Sequence, residues 1–362
     1  MWTEIVDAEG GNDVANAVAV AGNGDIVVVG GQTIGGAQDV WVARWDAGGE
    51  PLSSMVVDYG DGGDDVANGV AILDDGALAI VGMREQPSDT MIDDALVLVL
   101  EPGGDERWSV IVDDGLSEWA NAVAVGEGGI AVAGVREGAT TDDDAWFAVY
   151  DPQGAEVWSQ IEVGPGDVDD VAHGIAWTPD GGLIVVGERG TNATRDIWIS
   201  GRDGNGDELW TVLEDFEFGA DFAADVVMVD GTAWVTGMIS SPLTNSEEIW
   251  IASYGSDGTK ADMTTWNSPG FVVDSGAGIA VDGGDVFVAG ESAVADEQRN
   301  VFVGRFGAGM PEPVWHDTVD GGAGLQDSGT AVALLPDGSV VATGVVTVLG
   351  EGTNAWIRRY AP

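Results

Sequence analysis

Short apolar runs follow one another along this chain, cut apart by Gly, Asp, Asn and Pro. Residues 25–31 (DIVVVGG), 39–45 (DVWVARW) and 78–82 (LAIVG) are typical. β-Branched residues are frequent in these runs, and no stretch sustains the spacing of an amphipathic helix, so the pattern predicts strands. The runs are almost continuously apolar, with little polar alternation. A strand solvated on one face alternates; a strand buried on both faces does not. Asp-Gly and Asn-Gly pairs between neighbouring runs are hairpin signals.

The same unit returns along the chain. Residues 12–31 read NDVANAVAVAGNGDIVVVGG, residues 64–83 read DDVANGVAILDDGALAIVGM and residues 169–188 read DDVAHGIAWTPDGGLIVVGE. Their shared form is D-x-A-x-x-[V/I]-A, a turn, and an apolar strand ending in Gly. It recurs about every 50 residues, in the range of propeller blades. A third run follows a loop of variable length, and a fourth follows a D-x-x-G turn, as in YDPQGAEVWS (150–159). Four strands per copy and seven copies predict an all-β fold, a seven-bladed β-propeller of four-stranded antiparallel blades. The blades fall at about residues 7–55, 56–110, 111–160, 161–212, 213–265, 266–317 and 318–362 plus 1–6, in one domain over 1–362.

Aromatic positions support this register. The seven third strands carry Trp41, Leu96, Trp146, Trp198, Trp250, Phe302 and Trp356 at one equivalent place. Fourth strands carry Trp108, Trp158, Trp210 and Trp315. Small residues on the inner strands (Ala17, Gly69, Ala122, Gly174, Gly278, Ala331) suit blades that crowd around an axis. The seventh copy stops at WIRRYAP (356–362), where its fourth strand is due, and MWTEIV at residues 1–6 supplies a strand with a Trp near its start. The N-terminal strand is therefore expected to complete the last blade, which closes the ring and removes exposed sheet edges.

Charge narrows the partners. The chain has 63 acidic residues against 12 Lys+Arg, a net charge of −51. Phosphate recognition needs a basic footprint, so nucleic acid is not an expected partner. No apolar run approaches the ~18 residues of a membrane helix, so no membrane insertion is expected. The absence of Cys removes disulfides, thiolate chemistry and Cys-based zinc sites. The first ten residues contain Asp and Gly and do not read as a signal peptide.

In a repeat protein, a residue present in every blade belongs to the architecture, and a site shows where blades depart from the pattern. Each inner strand opens on an acid: Asp13, Asp65, Glu118, Asp170, Asp221, Asp274 and Asp327. These read as acceptors for loop N–H groups. Asp203, Asn205 and Asp207 have the D-x-N-x-D spacing of a calcium loop, but Glu208 stands at the sixth position, where an EF-hand needs Gly. The stretch also aligns with the hairpin of other blades, so it reads as a hairpin first and a calcium site second. Arg84, Arg136 and Arg189 each lie two residues after the Gly ending a second strand, in consecutive blades, and His173 replaces the Asn seen at Asn16, Asn68 and Asn121. Converging on one channel mouth, these four would bind a carboxylate or other small anionic ligand; paired with nearby acids such as Glu85, Glu137 and Glu188, they would be structural. In blade 5, Asp225 replaces a small residue and the fourth-strand Trp is missing.

The stretches GDGGDDVANGVAILDDGALAIVG and DAWFAVYDPQGAEVW (144–158) resemble the SBBP-type β-propeller repeat family of bacteria. The resemblance covers essentially the whole chain, and this chain departs from the family in its acidity. It implies a propeller module of an exported protein, periplasmic, cell-surface or extracellular. The expected role is non-catalytic binding or scaffolding, with a protein or small ligand at one face of the channel, by a monomer. The alternative is an enzyme (lyase, hydrolase or quinoprotein-like) working near His173 and the Arg trio; the D-x-x-G-x-x-x-W turns resemble quinoprotein propellers. No nucleophile elbow, metal-binding His pair or P-loop is present.

Acids this dense repel one another over a Debye length, ~30 Å at 0.01 M salt and ~3 Å at 1 M. The melting temperature is expected to rise with NaCl, and a flat response would contradict the repulsion. A Ca²⁺ effect beyond that of matched ionic strength would mark a chelating loop.

Overall fold

Apolar runs joined by tight turns pair with their chain neighbours, and seven four-stranded antiparallel sheets result among the described residues. The computed structural model describes residues 1–361 except 9–10, 61, 87–91, 139–141, 165, 167, 192–193, 217–218, 242–245, 270–272, 294–297, 308 and 323. In the first blade Val14–Val20, Ile26–Ile34, Ala37–Trp45 and Pro51–Val57 pair in chain order from axis to rim. The other inner strands are Asp65–Ile72, Glu118–Gly126, Asp169–Trp177, Phe222–Val229, Asp274–Asp282 and Ser328–Leu334. The last sheet takes its outer strand from the far end of the chain. Trp2–Val6 pairs antiparallel with Gly352–Tyr360, placing Ile5 opposite Trp356 and Trp2 opposite Arg359. The ring closes as the opening residues predict.

The core is divided into seven apolar layers, one between each pair of neighbouring blades. This explains the unbroken apolar runs, because each sheet is covered on both faces. Trp41, Leu96, Trp146, Trp198, Trp250, Phe302 and Trp356 are at most 1% exposed. Each lies in the layer against the preceding blade: Trp146, for example, packs with Val81 and Val97, and Trp41 with Val341 and Ile357 across the seam between last blade and first.

The outer-strand tryptophans fasten each blade to the next. Trp108 Nε1 donates to the Pro152 carbonyl at 3.0 Å, Trp158 to Gly204 at 3.1 Å and Trp210 to Ser256 at 2.8 Å, each in the hairpin of the following blade. Trp2 does the same across the seam, donating to the Ala47 carbonyl at 3.2 Å. Gly49 in that hairpin has φ +90°, and a Cβ there would lie 2.7 Å from the Trp2 ring. The D-x-x-G turn thus needs its glycine for both conformation and room. Blade 5 carries Asp262 at the tryptophan position.

Every inner strand also contains a bulge. The register against the second strand slips between Ala15 and Ala17, and again between Ala67 and Gly69, Ala120 and Ala122, Ala172 and Gly174, Ala223 and Asp225, Gly276 and Gly278, and Gly329 and Ala331. One residue per blade is left out of the ladder, and the strand kinks there. The glycine that ends each second-strand run sits against this kink. A Cβ at Gly30 would overlap the Val14 carbonyl oxygen, and the same clash recurs at Gly82, Gly134, Gly187, Gly237, Gly290 and Gly344.

Trp2 is half-buried, so Trp2→Ala is expected to cost about 2 kcal/mol, below the ~3–5 of a fully buried Trp. Deleting residues 1–6 should cost more and promote aggregation through the bared strand edge. Thermal melts monitored by light scattering check both; melts matching the parent protein would contradict the closure.

Candidate functional site

The bulges aim one side chain per blade at the axis. These seven residues, Asn16, Asn68, Asn121, His173, Ala224, Ala277 and Thr330, all line a channel cavity of about 350 Å³. Two residues further along the inner strands, Val18, Val70, Val123 and Val332 line it as well. A polar arc runs through five adjacent blades, Thr330–Asn16–Asn68–Asn121–His173, and an apolar arc of Ala224 and Ala277 completes the circle.

The arc is tied to the backbone in one repeating way. Asn16 Nδ2 donates to the Ala67 carbonyl of the next blade at 3.0 Å, Asn68 to Ala120 at 3.1 Å and Asn121 to Ala172 at 3.0 Å. Thr330 Oγ1 donates to the Ala15 carbonyl at 2.6 Å, across the seam. The carbonyl partner fixes each amide's orientation, with nitrogen to the backbone and oxygen free. Asn68 Oδ1 receives only a long 3.4 Å contact from Asn16 Nδ2.

Blade 5 solves the same problem differently. Ala224 cannot donate, and the next residue, Asp225, stitches the blades by accepting the Ile279 N–H at 2.9 Å and the Val226 N–H at 2.8 Å. Burial pushes its carboxyl up to about 6 despite those two bonds. Asp225 also lines the channel.

His173 sits at the end of the polar arc. Its ring lies 5.9 Å from Phe222, and its Nε2 is 3.7 Å from Glu188 Oε1. Glu188 is 3% exposed and also pairs with Arg195. Burial pushes this carboxyl up, but His173 and Arg195 outweigh it and hold the group below its usual range.

The structure does not gather the Arg trio around His173. None of the three arginines lines the channel cavity, and each faces the inner-strand acid of its own blade. Arg136 pairs with Asp114 and lies 3.9 Å from Glu118. Arg189 pairs with Asp170 at 2.9 Å and Glu162 at 3.5 Å, and its guanidinium sits 4.8 Å from the Trp198 ring centroid. Arg84 faces Asp65 and Asp94 across its neighbouring strands and lies 5.5 Å from the Tyr59 ring centroid.

The acids that open the inner strands are at most 1% exposed. They act as loop clamps, as their turn-like context predicts. Asp221 accepts the Phe216 N–H at 3.1 Å and the Ser240 N–H at 2.6 Å; Asp327 accepts those of Gly321 at 2.7 Å and Thr347 at 2.6 Å. Glu118 differs. Among the described residues neither of its oxygens accepts a hydrogen bond, and burial together with the charges of Asp94, Asp113 and Glu137 pushes its carboxyl up to about 7.

Asp203, Asn205 and Asp207 form a hairpin turn. Asp203 Oδ1 accepts the N–H groups of Asn205 at 2.8 Å and Asp207 at 3.1 Å, as Asp151 accepts those of Gln153 and Ala155 in the preceding blade, both at 2.9 Å. Among the described residues, no three His or acidic groups are arranged to hold a metal ion.

Sequence reasoning singled out His173 and passed over the other residues that line the channel with it. Asn16, Asn68 and Asn121 read as background because they recur. The available signal was their place, three residues after each inner-strand acid, where His, Ala, Ala and Thr stand in the other blades.

The fold and channel define a seven-bladed propeller, an architecture shared with proteins of several functions. No protein-family model and no curated protein matches the chain. Among solved structures it is similar to the WD40 propeller domain of Doa1, with a TM-score of 0.58 and 13% identity over 98% of this chain and 97% of that one. Virginiamycin B lyase from Staphylococcus aureus gives a TM-score of 0.56 at 9% identity, covering 98% of each chain. Sqt1 from Chaetomium thermophilum, bound to the N-terminus of ribosomal protein L10, gives 0.51 at 14% identity over 98% of this chain and 86% of that one. These likenesses establish the fold alone.

Glu118 yields a pH prediction. Its folded pKa of about 7 lies above the ordinary 4.5, so the folded state keeps a proton that the unfolded state releases. Its contribution is complete below pH 4.5 and is lost as pH rises through 7. Stability should fall over this window by on the order of 3 kcal/mol from this group. Glu118→Gln should flatten the profile, as measured by denaturant unfolding at a series of pH values; an unchanged slope would contradict the assignment.

Proposed function

We propose that this chain is a non-catalytic binding propeller of the SBBP type, part of an exported protein, that takes its ligand or protein partner at the channel. The observation that carries the reading is the distribution of difference among the blades. Buried strand-opening acids and bulge glycines recur in all seven, whereas the axis-facing position changes from Asn to His to Ala to Thr. Architecture is held constant and the lining varies, as expected of a binding surface. The repeat D-x-A-x-x-[V/I]-A supports the SBBP relation. That Sqt1 holds the N-terminus of L10 is in keeping with partner binding on this fold. A catalytic reading would rest on His173 with Glu188, and Glu188 is already committed to Arg195.

Alanine occupies the axial position in two blades, so a variant with Asn16, Asn68, Asn121, His173 and Thr330 all changed to Ala should fold. In a thermal-shift screen of small metabolites and short peptides, at least one compound should raise the parent melting temperature by several degrees and leave this variant unmoved. Equal shifts in both proteins, or none in either, would overturn the channel as the binding site.

A further inference from the structure

The channel's chemistry indicates what kind of molecule it accepts, and the argument rests on the binding reading above. Three amides on one arc are held with nitrogen to the backbone of the next blade at 3.0–3.1 Å. Each amide oxygen is therefore left over from that bond, beside a space of about 350 Å³. Among the described residues, Oδ1 of Asn16 and Oδ1 of Asn121 accept no hydrogen bond from the protein, and Asn68 Oδ1 accepts only the long contact from Asn16. The carboxylate of Asp225 lines the same cavity, while no Lys or Arg does. A negatively charged guest would meet these oxygens with no Lys or Arg of the described residues to offset them.

The rest of the lining is apolar. Val18, Val70 and Val123 stand two residues beyond the three Asn on their own strands, and Phe222, Ala224 and Ala277 cover the opposite side. A bare divalent cation needs six or more oxygens and prefers carboxylates. Here one carboxylate lines the space, and its two oxygens already accept backbone N–H groups. An ammonium carries donors and no acceptor, which suits a wall of amide oxygens, and an attached hydrocarbon would cover the valines. The overall charge of −51 would draw such a cation in.

The geometry points to the channel as a receptor for a primary ammonium on an aliphatic chain, its head on the Asn16–Asn68–Asn121 oxygens and its chain along the valine level. Either a free amine or a lysine side chain of a partner presents this group.

The test is a titration of the ¹⁵N-labelled protein with n-hexylammonium, Nα-acetyl-lysinamide and hexanoate at constant ionic strength, following the Asn side-chain amide signals. Either ammonium should bind and shift those signals, and hexanoate should not. Tighter binding of hexylammonium would identify a free amine as the source, and tighter binding of the lysine derivative a partner's side chain. Asn68→Ala combined with Asn121→Ala should weaken binding at least tenfold. Asn121→Thr, which copies Thr330 and keeps a donor to the next blade, should retain the fold and still weaken binding. If hexanoate binds as well as the amines, or if ammonium binding survives loss of both Asn residues, the inference is overturned while the channel remains a binding site. If no probe binds although a screened compound does, the ammonium class fails alone; if neither binds, the binding reading fails with it.

Discussion

The contact between a second-strand glycine and the inner-strand carbonyl governs the centre of this molecule. At Gly30 and its six equivalents the inner strand comes so close that no Cβ fits. That closeness lets the inner strand bulge, and the bulge frees one residue per blade from the sheet ladder. An unbulged strand would alternate regularly, and its axial positions would be set by the pleat. Here the freed side chain projects towards the axis, and at Asn16, Asn68, Asn121 and Thr330 it also reaches the backbone of the next blade. Channel lining and a bond to the next blade therefore coincide at four of the seven positions. In blade 5, where Ala224 stands there, the neighbouring Asp225 supplies a bond to the next blade.

Electrostatics impose the second constraint. With 12 Lys+Arg against 63 acids, cations cannot neutralise each carboxylate, and the fold uses backbone N–H groups in their place. The buried acids at the strand openings hold the loops between blades, and burial raises the carboxyls of Asp13, Asp170, Asp221, Asp274 and Asp327. Where an Arg is available on the adjoining strand it joins the same cluster, as Arg189 does with Asp170. Arg136 lies 3.9 Å from Glu118 and Arg84 faces Asp65 across the same two strands, so the three equivalent arginines stand beside the strand-opening acids of blades 2, 3 and 4.

The architecture was legible because it repeats. Seven buried third-strand residues, the Asp-Gly turns and the stray Trp2 each report a local requirement that recurs or is conspicuously missing. The site was less legible for a physical reason. Arg84, Arg136 and Arg189 share a register position, and their equivalence is visible in sequence; the acids they meet lie across neighbouring strands or loops, as Asp114 does for Arg136, and only the folded geometry selects them. The asparagines were hidden by regularity. A simple strand pattern does not reveal a bulge, so the residue it expels reads as one more ladder position.

The polar arc also crosses the seam of the ring. Thr330 belongs to the last blade, and its hydroxyl is held by the Ala15 carbonyl of the first. The layer at that seam includes Trp41 and Trp45 from one side and Val341 and Ile357 from the other, with Trp2 packed at its outer edge. Chain closure at the rim and polar continuity at the axis are two ends of one interface. A repeat array left open would still carry each blade's acid and glycine, but Thr330 would lose its partner and the arc would be cut at one end. The N-terminal strand therefore does more than cover an edge, because the tryptophan that opens the sequence holds together the two blades between which the arc is continuous.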